Sequence, residues 1–478
     1  MLSLKQKTVS GLKWTTVATV NNTLVQILKL FILARLLEKS DFGLIAIVLM
    51  ILGFTEIFSN LGLSIGLIHK QEVSQKQYSS VFWVNLSLSI VLYLFLVAMS
   101  PLFADFYAQN ELKTLIPLMG VQLIINAFGK MFYTFKTKNL EFKFLSIVSI
   151  VGIYIGTIVT LWLAWRGYGV YSLVYGLLVQ SLVTQVVYAV SGLKMYRILL
   201  YCNLREIMDL IKIGGFQVGT QVLDYVSNKL DIFLIGRFFG MELLGVYNLA
   251  KELIMKPIQV VNPIITNVAT PSFAKFQDNL PMIQENYLKV IKLLSVFNFP
   301  IFICFAVFAE PIVLIIYGQG MMEVAAFVRI LAFWGLFNSI GNPAGILMVA
   351  KGRTDLGFYW TVVRIVVMTV AMWLACQFTI FTVAYAQTLI AFAFLFLYWR
   401  MMVYNLSLIP LKRYIQSFLL PLLIVLIVGA GIYLVSLLSK NIYFQLALIA
   451  VFGILVVAAY WIFDKSYLKS LKTMVLSK

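Results

Sequence analysis

The stretch from Ile213 to Gly245, IGGFQVGTQVLDYVSNKLDIFLIGRFFGMELLG, decides the fold of this chain. Its polar residues recur at steps of four, three, four and three, a spacing that places side chains on one face of a helix. They are Gln217, Gln221, Asp224, Asn228 and Asp231. The rest of the stretch is largely apolar and long enough to cross a bilayer. Unsatisfied polar groups are costly in hydrocarbon, so this face must line protein or a water-filled cavity.

The same pattern occurs 202 residues earlier, in the first apolar segment. The matching positions are Thr15, Thr19, Asn22, Gln26 and Lys29. Both copies end in similar sequences, Leu33-Ala34-Arg35-Leu36-Leu37 and Ile235-Gly236-Arg237-Phe238-Phe239. A duplicated membrane bundle with an inward polar seam is typical of transporters whose two halves alternate about a central site.

The composition agrees with a membrane protein that crosses the bilayer many times. Of the 478 residues, 62% are hydrophobic and 12% are charged, whereas about a quarter of a soluble domain is charged. Windows of about 20 apolar residues predict an all-α fold of fourteen transmembrane helices. We expect two pseudo-symmetric six-helix lobes at 1–193 and 210–404, a cytoplasmic linker at 194–209, and two accessory helices with a tail at 405–478.

The formal net charge of +18 is interpreted here as an orientation signal. Lys and Arg are frequent in alternate connections, such as the one holding Lys136, Lys138 and Lys143, and are sparse in the others. The excess marks the cytoplasmic side, which predicts cytoplasmic termini and argues against nucleic-acid binding. The three cysteines lack metal or redox spacing, and neither a metal nor a cofactor is predicted.

Cationic side chains inside the predicted spans are candidates for binding the substrate. Each would cost up to about 3 kcal/mol at the bilayer centre, so several are not expected without compensation. They are Lys29, Lys229, Lys251, Lys256 and Arg364. Lys29 and Arg364 rank first because no acid lies one helical turn from either in sequence. The competing interpretation is that Lys251 and Lys256 reach the interface or pair with Glu252, and that Lys229 pairs with nearby acids.

Seam amides complete the predicted substrate site, and three carboxylates are candidates for ion coupling. The amides are Asn22, Gln26, Gln221 and Asn228; the carboxylates are Glu56, Asp224 and Asp231. A carboxylate in a cavity can bind a proton or a cation as access alternates. The alternative is a permanently ionised group that balances a nearby lysine. Lys29 and Asp231 occupy matching repeat positions with opposite charge, and either a pair between lobes or separate pairs within each lobe fits that pattern.

The second copy also resembles a known family. Asp224-Tyr225-Val226-Ser227-Asn228-Lys229-Leu230-Asp231 and Leu244-Gly245-Val246-Tyr247-Asn248-Leu249-Ala250 are similar to the seventh and eighth helices of Wzx-type polysaccharide flippases. The colanic-acid-exporter-like branch of the multidrug/oligosaccharidyl-lipid/polysaccharide exporter superfamily is the nearest in character. The resemblance implies a bacterial inner-membrane protein that moves undecaprenyl-diphosphate-linked oligosaccharides to the periplasmic leaflet for capsule, exopolysaccharide or O-antigen. It also implies a monomeric unit that works beside polymerase machinery.

Three other functions were weighed. A membrane glycosyltransferase or O-antigen ligase would need larger outer loops with acidic or histidine residues, and no catalytic cluster stands out. A cation-coupled drug antiporter suits the acidic seam but not the helix signatures. A lipid II flippase would share the diphosphate and the polyprenyl tail of the expected substrate, so it remains open at this level.

The charge asymmetry makes a topology prediction. In a background without the native cysteines, single cysteines at Gln6, Asn203 and Ser470 should resist a membrane-impermeant thiol reagent in intact cells. A cysteine at Asn110, on the opposite side, should be labelled. Labelling of the first three with protection at Asn110 would reverse the assignment.

Overall fold

The computed structural model describes residues 4–59, 62–70, 73–193, 197–276, 279–341, 343–353, 355–439 and 441–463. Within these ranges the chain is helical and contains no strand, as predicted. Twelve helices among the described residues are long and apolar enough to cross a membrane. The predicted tail beyond Phe463 lies outside the described residues.

The helices follow one another with short connections. They are α1 (Leu4–Leu33), α2 (Lys39–Ser59), α3 (Leu63–His69), α4 (Gln75–Tyr107), α5 (Leu112–Lys138), α6 (Phe142–Trp165), α7 (Val170–Leu193), α8 (Leu204–Lys275), α9 (Leu280–Val307), α10 (Ala309–Tyr317), α11 (Val324–Gly341), α12 (Ala344–Lys351), α13 (Asp355–Ala375), α14 (Ile380–Tyr398), α15 (Asn405–Ser407), α16 (Leu411–Ser436) and α17 (Ile442–Phe463). A 3₁₀ turn spans Gln319–Met321, and a π-helix spans Trp399–Tyr404.

The chain divides into two compact units, which are Met1–Asn248 with Arg364–Cys376, and Leu249–Val363 with Gln377–Lys478. In the first unit, α1 packs on α6, and α5 packs on α4 and α7. In the second unit, α9 packs on α11 and α16, and α11 packs on α14. Burial of apolar side chains fixes these contacts; Phe132 and Ile207, for example, are fully or almost fully buried in the core of the first unit.

α8 contains the stretch that opens the sequence analysis. Its 72 residues do not form one straight helix, because φ and ψ leave the helical region at Gly240 (φ 80°, ψ 177°) and divide α8 into two helical parts. Glycine adopts this conformation without the clash that a Cβ would cause. The break falls between the predicted seventh and eighth spans. α8 is not among the twelve candidate spans, so the predicted count of fourteen is not confirmed.

The two repeats meet in the first unit through a pair of glycines. A Cβ on Gly43 would collide with the carbonyl oxygen of Met241, and a Cβ on Gly245 would collide with the carbonyl oxygen of Lys39. Gly43 and Gly245 are 202 residues apart, as are Lys39 and Met241. The contact is therefore reciprocal, as contacts across a twofold axis are. It is the most direct structural trace of the duplication.

A proline break in the second unit is closed by an asparagine from another helix. Pro343 separates α11 from α12 and has no N–H, so the carbonyl of Ser339, four residues earlier, loses its helical donor. The Asn262 side chain of α8 donates from Nδ2 to that carbonyl at 3.0 Å. Asn298 of α9 donates from Nδ2 to Asn262 Oδ1 at 3.0 Å. All three groups are buried, so the amide satisfies a carbonyl that water does not reach.

This replacement can be tested by a double-mutant cycle. Asn262→Ala should destabilise the protein by about 1–3 kcal/mol, because it leaves the Ser339 carbonyl without a donor. Pro343→Ala restores a backbone N–H at position 343, so Asn262→Ala should cost less in that background. The measurement is thermal unfolding of the four purified proteins in one detergent.

Asn262→Ala also removes the acceptor of Asn298 Nδ2, but that loss is common to both backgrounds and cancels in the cycle. Equal destabilisation in the two backgrounds would mean that the Asn262 amide does not substitute for the missing N–H of Pro343.

Candidate functional site

Arg364 of α13 lies against the polar face of α8 in the first unit. Its Nη2 is 3.1 Å from Asp224 Oδ1, and its Nε donates to Ser227 Oγ at 2.9 Å. The two α8 residues are three positions apart and so lie on one face of the helix. A guanidinium presents its donors in a planar fork, which suits two acceptors side by side. The structure thus pairs Arg364, a predicted substrate-binding residue, with Asp224, a predicted ion-coupling carboxylate.

The exposure of this pair decides how it can act. The Arg364 side chain is 24% exposed and that of Asp224 is 46% exposed. Both groups are thus accessible from outside the protein interior rather than sealed within it. A salt bridge of this kind is worth less than about a kilocalorie in stability when solvated. Another anion can therefore replace the Asp224 carboxylate on Arg364 at a small cost in free energy. The same replacement in a sealed, buried ion pair would be costly.

Glu56 belongs to a second polar cluster, which joins α2, α5 and α7. Asn126 Nδ2 donates to Glu56 Oε1 at 2.9 Å. The other end of the same amide, Asn126 Oδ1, accepts from Ser181 Oγ at 2.6 Å and from Gln185 Nε2 at 3.3 Å. Tyr225 of α8 packs nearby, and its hydroxyl donates to the carbonyl of Met50 at 2.9 Å. The Asn126 amide of α5 therefore connects the Glu56 carboxylate of α2 to two polar side chains of α7.

Asp231, the third candidate carboxylate, is buried. Its Oδ2 accepts from the Tyr247 hydroxyl at 2.7 Å, and its Oδ1 accepts from the backbone N–H of Ile232 at 2.9 Å. Tyr247 is also buried, and the bond links the two parts of α8 on either side of Gly240. This arrangement favours a structural role, since the carboxylate ties the helix across its break.

Two of the predicted cations occupy the second unit. Lys256 Nζ lies 3.6 Å from Glu252 Oε2, one turn earlier on α8, which is the pairing that the competing interpretation expected. Lys251 Nζ lies 5.7 Å from the centre of the Trp334 ring, a cation–π distance. These contacts offer each lysine a local partner, and neither requires a ligand.

The remaining predicted residues lie along α1 and α8. Asn22 Nδ2 donates to Ser149 Oγ of α6 at 2.9 Å, while Asn22 Oδ1 is buried without a hydrogen-bond partner. Gln26, Lys29 and Lys229 are half-buried, and Gln221 and Asn228 are exposed. The side chain of Gln217 lies outside the described residues. α1 and α8 thus present polar side chains along their length within the first unit, as the repeat predicts.

The partners of these residues have no direct signal in the sequence. Ser227, Asn126, Ser181 and Tyr247 come from positions that spacing alone does not connect with their targets, and Asp224 is 140 residues from Arg364. The one available signal was physical, because a lone charge within a span needs a partner. Chemically, the Arg364 cluster can bind a bidentate oxyanion, and the Glu56 cluster can hold a cation or a proton.

The chain is similar to proteins of bacterial polysaccharide assembly. It is 28% identical over 447 residues to the teichuronic acid biosynthesis protein TuaB of Bacillus subtilis (strain 168), covering 92% of this chain and 91% of TuaB. It is 28% identical over 363 residues to the lipopolysaccharide biosynthesis protein WzxC of Escherichia coli (strain K12), covering 76% of this chain and 74% of WzxC.

The fold is that of a solved flippase. The inward closed conformation of the lipid II flippase MurJ superposes with a TM-score of 0.78 at 13% identity, over 95% of this chain and 99% of MurJ. This superposition confirms the predicted all-α fold. The family model described as "Polysaccharide biosynthesis protein" matches residues 32–326, which is more than half of the chain and includes α2 to α10, among them the whole of α8. On this evidence the chain belongs to the polysaccharide biosynthesis protein family.

Proposed function

We propose that this protein is a flippase that carries an undecaprenyl-diphosphate-linked oligosaccharide from the cytoplasmic to the periplasmic leaflet of a bacterial inner membrane. The product would enter capsule, exopolysaccharide or O-antigen synthesis. The protein is a multi-pass membrane transporter of polysaccharide biosynthesis and not an enzyme. The family, the fold and the polar faces of α1 and α8 support the proposed substrate, since a lipid-linked sugar needs a polar path for its head group and hydrocarbon for its tail.

The observation that carries the proposal is the Arg364 cluster. A diphosphate presents oxygens in the geometry that a guanidinium fork binds. In the structure, Asp224 Oδ1 lies 3.1 Å from Nη2 of that fork, and Ser227 Oγ accepts from its Nε. We infer that the diphosphate replaces Asp224 on Arg364, with Lys29 as the second cation. The sugars would then lie along the amides Asn22, Gln26, Gln221 and Asn228. Lys229, Lys251 and Lys256 remain secondary candidates.

Exchange at Arg364 also suggests how transport is coupled to an ion. When the diphosphate takes the guanidinium, the Asp224 carboxylate gives up its contact with Arg364 and can bind a proton or a cation. Release of substrate would reverse both steps. Glu56 is the alternative coupling group, because Asn126 holds it without a positive charge. Asp231 is the weakest candidate, since Tyr247 and the Ile232 backbone N–H already bond to its two oxygens.

The finer features of the proposal follow from the sequence. The lobes at 1–193 and 210–404 would alternate between inward-open and outward-open states, and helices 405–463 would be accessory. Both termini would face the cytoplasm, and the functional unit would be a monomer that delivers its product to polysaccharide polymerase machinery. The topology experiment described above tests the orientation.

Removal of the proposed cations should weaken binding of the lipid head group. Arg364→Ala and Lys29→Ala should each reduce affinity for a polyprenyl-diphosphate oligosaccharide by about ten- to hundredfold, the value of a hydrogen bond to a charged group. Affinity for the free glycan should change little. The measurement is equilibrium binding of both ligands to purified protein in nanodiscs.

Matched variants separate binding from folding. Arg364→Ala combined with Asp224→Asn removes both charges of the ion pair together, and Arg400→Ala removes a cation of the second unit that lies over the Tyr404 ring. Arg400→Ala should bind like the parent. Equal affinity of the double variant and the parent for the lipid-linked substrate would refute the role of Arg364.

A third set of variants distinguishes the carboxylates. Asp224→Asn should bind the lipid-linked substrate but transport it in vesicles without response to an imposed proton or sodium gradient, because the exchanged carboxylate is gone. Glu56→Gln and Asp231→Asn should retain the response. If Glu56→Gln alone abolishes it, coupling belongs to the Asn126 cluster. If all three variants respond as the parent does, none of these carboxylates couples transport.

A further inference from the structure

The connection that precedes α8 is held against the start of α4 by its backbone. The N–H of Leu199 donates to Ser79 Oγ at 2.9 Å, and the carbonyl of Leu199 accepts from Trp83 Nε1 at 2.9 Å. Four residues further on, the N–H of Asn203 donates to Ser80 Oγ at 3.0 Å. Both ends of the segment 199–203 are therefore fixed, and its position relative to α4 is determined.

α4 sets the depth of this segment in the membrane. The predominantly apolar part of α4 begins near Val81, and Trp83 stands at its start. Trp is enriched where hydrocarbon meets the head groups, because its ring is apolar and its N–H needs a partner. The partner here is the Leu199 carbonyl, which places the segment at the boundary of the hydrocarbon.

At this depth the segment turns apolar side chains outward. Leu200 is 94% exposed in the protein, Leu204 is 55% exposed and Met208 is 43% exposed. The backbone of the neighbouring Leu199 is bonded to Ser79 and Trp83 of α4, which holds this part of the segment in place. An exposed leucine next to an interfacial tryptophan is continuous with the lipid-facing surface of the spans.

The first turns of α8 have three distinct faces. Ile207 and Leu210 are buried in the core of the first unit, and the backbone of Leu210 packs against Gly66 of α3. At about 100° per residue, Leu204 and Met208 lie beside this buried face. Arg205, Asp209 and Lys212 are exposed and lie together on the remaining side. The helix thus has one face packed on protein, one exposed apolar face and one exposed charged face, as in a helix that lies at a membrane surface.

The charges at this site favour an anionic surface. Arg197, Arg205 and Lys212 are exposed, and Lys76 lies 5.3 Å from the centre of the Tyr201 ring. The nearby Glu206 accepts from the Tyr201 hydroxyl at 2.5 Å, so part of the acidic charge is engaged within the protein.

We propose that residues 197–212 form a membrane-surface anchor, in which Leu200, Leu204 and Met208 enter the acyl region and Arg197, Arg205 and Lys212 bind anionic phospholipid head groups. The segment that joins the two repeats is thus seated in lipid rather than free in water. Lipid charge then becomes a determinant of how firmly the connection is held. The inference depends on the protein crossing a membrane and is independent of the transported substrate.

Spin-label depth measurements test the apolar part. In a background with Cys202, Cys304 and Cys376 replaced by Ser, the labels are placed by Leu200→Cys, Met208→Cys and, as the matched control on the polar face, Asp209→Cys. The full-length protein is reconstituted in phosphatidylcholine vesicles with added phosphatidylglycerol. Labels at 200 and 208 should collide more with oxygen than with a water-soluble nickel chelate, and the label at 209 should do the reverse. Nickel access at all three positions would overturn the proposal and would favour a soluble or protein partner for the leucines.

Lipid selectivity tests the charged part. Spin-labelled phosphatidylglycerol should associate with the parent more strongly than spin-labelled phosphatidylcholine, and Arg197→Gln with Arg205→Gln should reduce that preference by about fivefold per charge removed. Arg400→Gln, elsewhere on the surface, is the control and should leave the preference unchanged. An unchanged preference in the double variant would refute head-group binding by these arginines.

Discussion

A charge within a bilayer must find an opposite charge, a polar group or water, and this constraint governs the described structure. α8 carries Asp224 and Asp231 within a stretch predicted to cross the bilayer, and each meets the constraint differently. Asp224 takes a guanidinium from α13 and remains half-exposed, whereas Asp231 is enclosed and takes a tyrosine hydroxyl from its own helix. Of these two carboxylates from one sequence pattern, Asp224 can exchange its partner, whereas Asp231 is held in place.

The sequence was sufficient for the architecture because apolar length, helical periodicity and internal repetition are local signals. The spacing of the residues from Gln221 to Asp231 predicted the polar face of α8, and the 202-residue offset predicted a duplication that the Gly43 and Gly245 contact makes visible. The number of spans was less secure. Prolines and glycines divide several apolar stretches, and α8 mixes apolar and charged residues through most of its length.

The partners of the functional groups were beyond sequence reasoning. No residue near Arg364 in the sequence identifies Asp224 as its partner, and no residue near Glu56 identifies Asn126. Such pairs depend on which helix faces meet, which in turn depends on the packing of whole helices. The same holds for Asn262, whose amide serves a carbonyl left open by a proline on α11 and α12. A search for unsatisfied backbone groups near prolines would have indicated the need but not the donor.

Because of the reciprocal glycine contact, the two copies could not change independently at these two positions after the duplication. Other matching positions of the two copies differ even in the sign of charge, as Lys29 and Asp231 show. At Gly43 and Gly245, a side chain gained by either copy would strike the backbone of the other, so neither position can change alone. A hybrid made by joining the first copy of this protein to the second copy of a distant relative would therefore inherit a steric condition from both parents. Whether such a hybrid folds would depend more on the presence of glycine at both positions than on the overall sequence similarity of its halves.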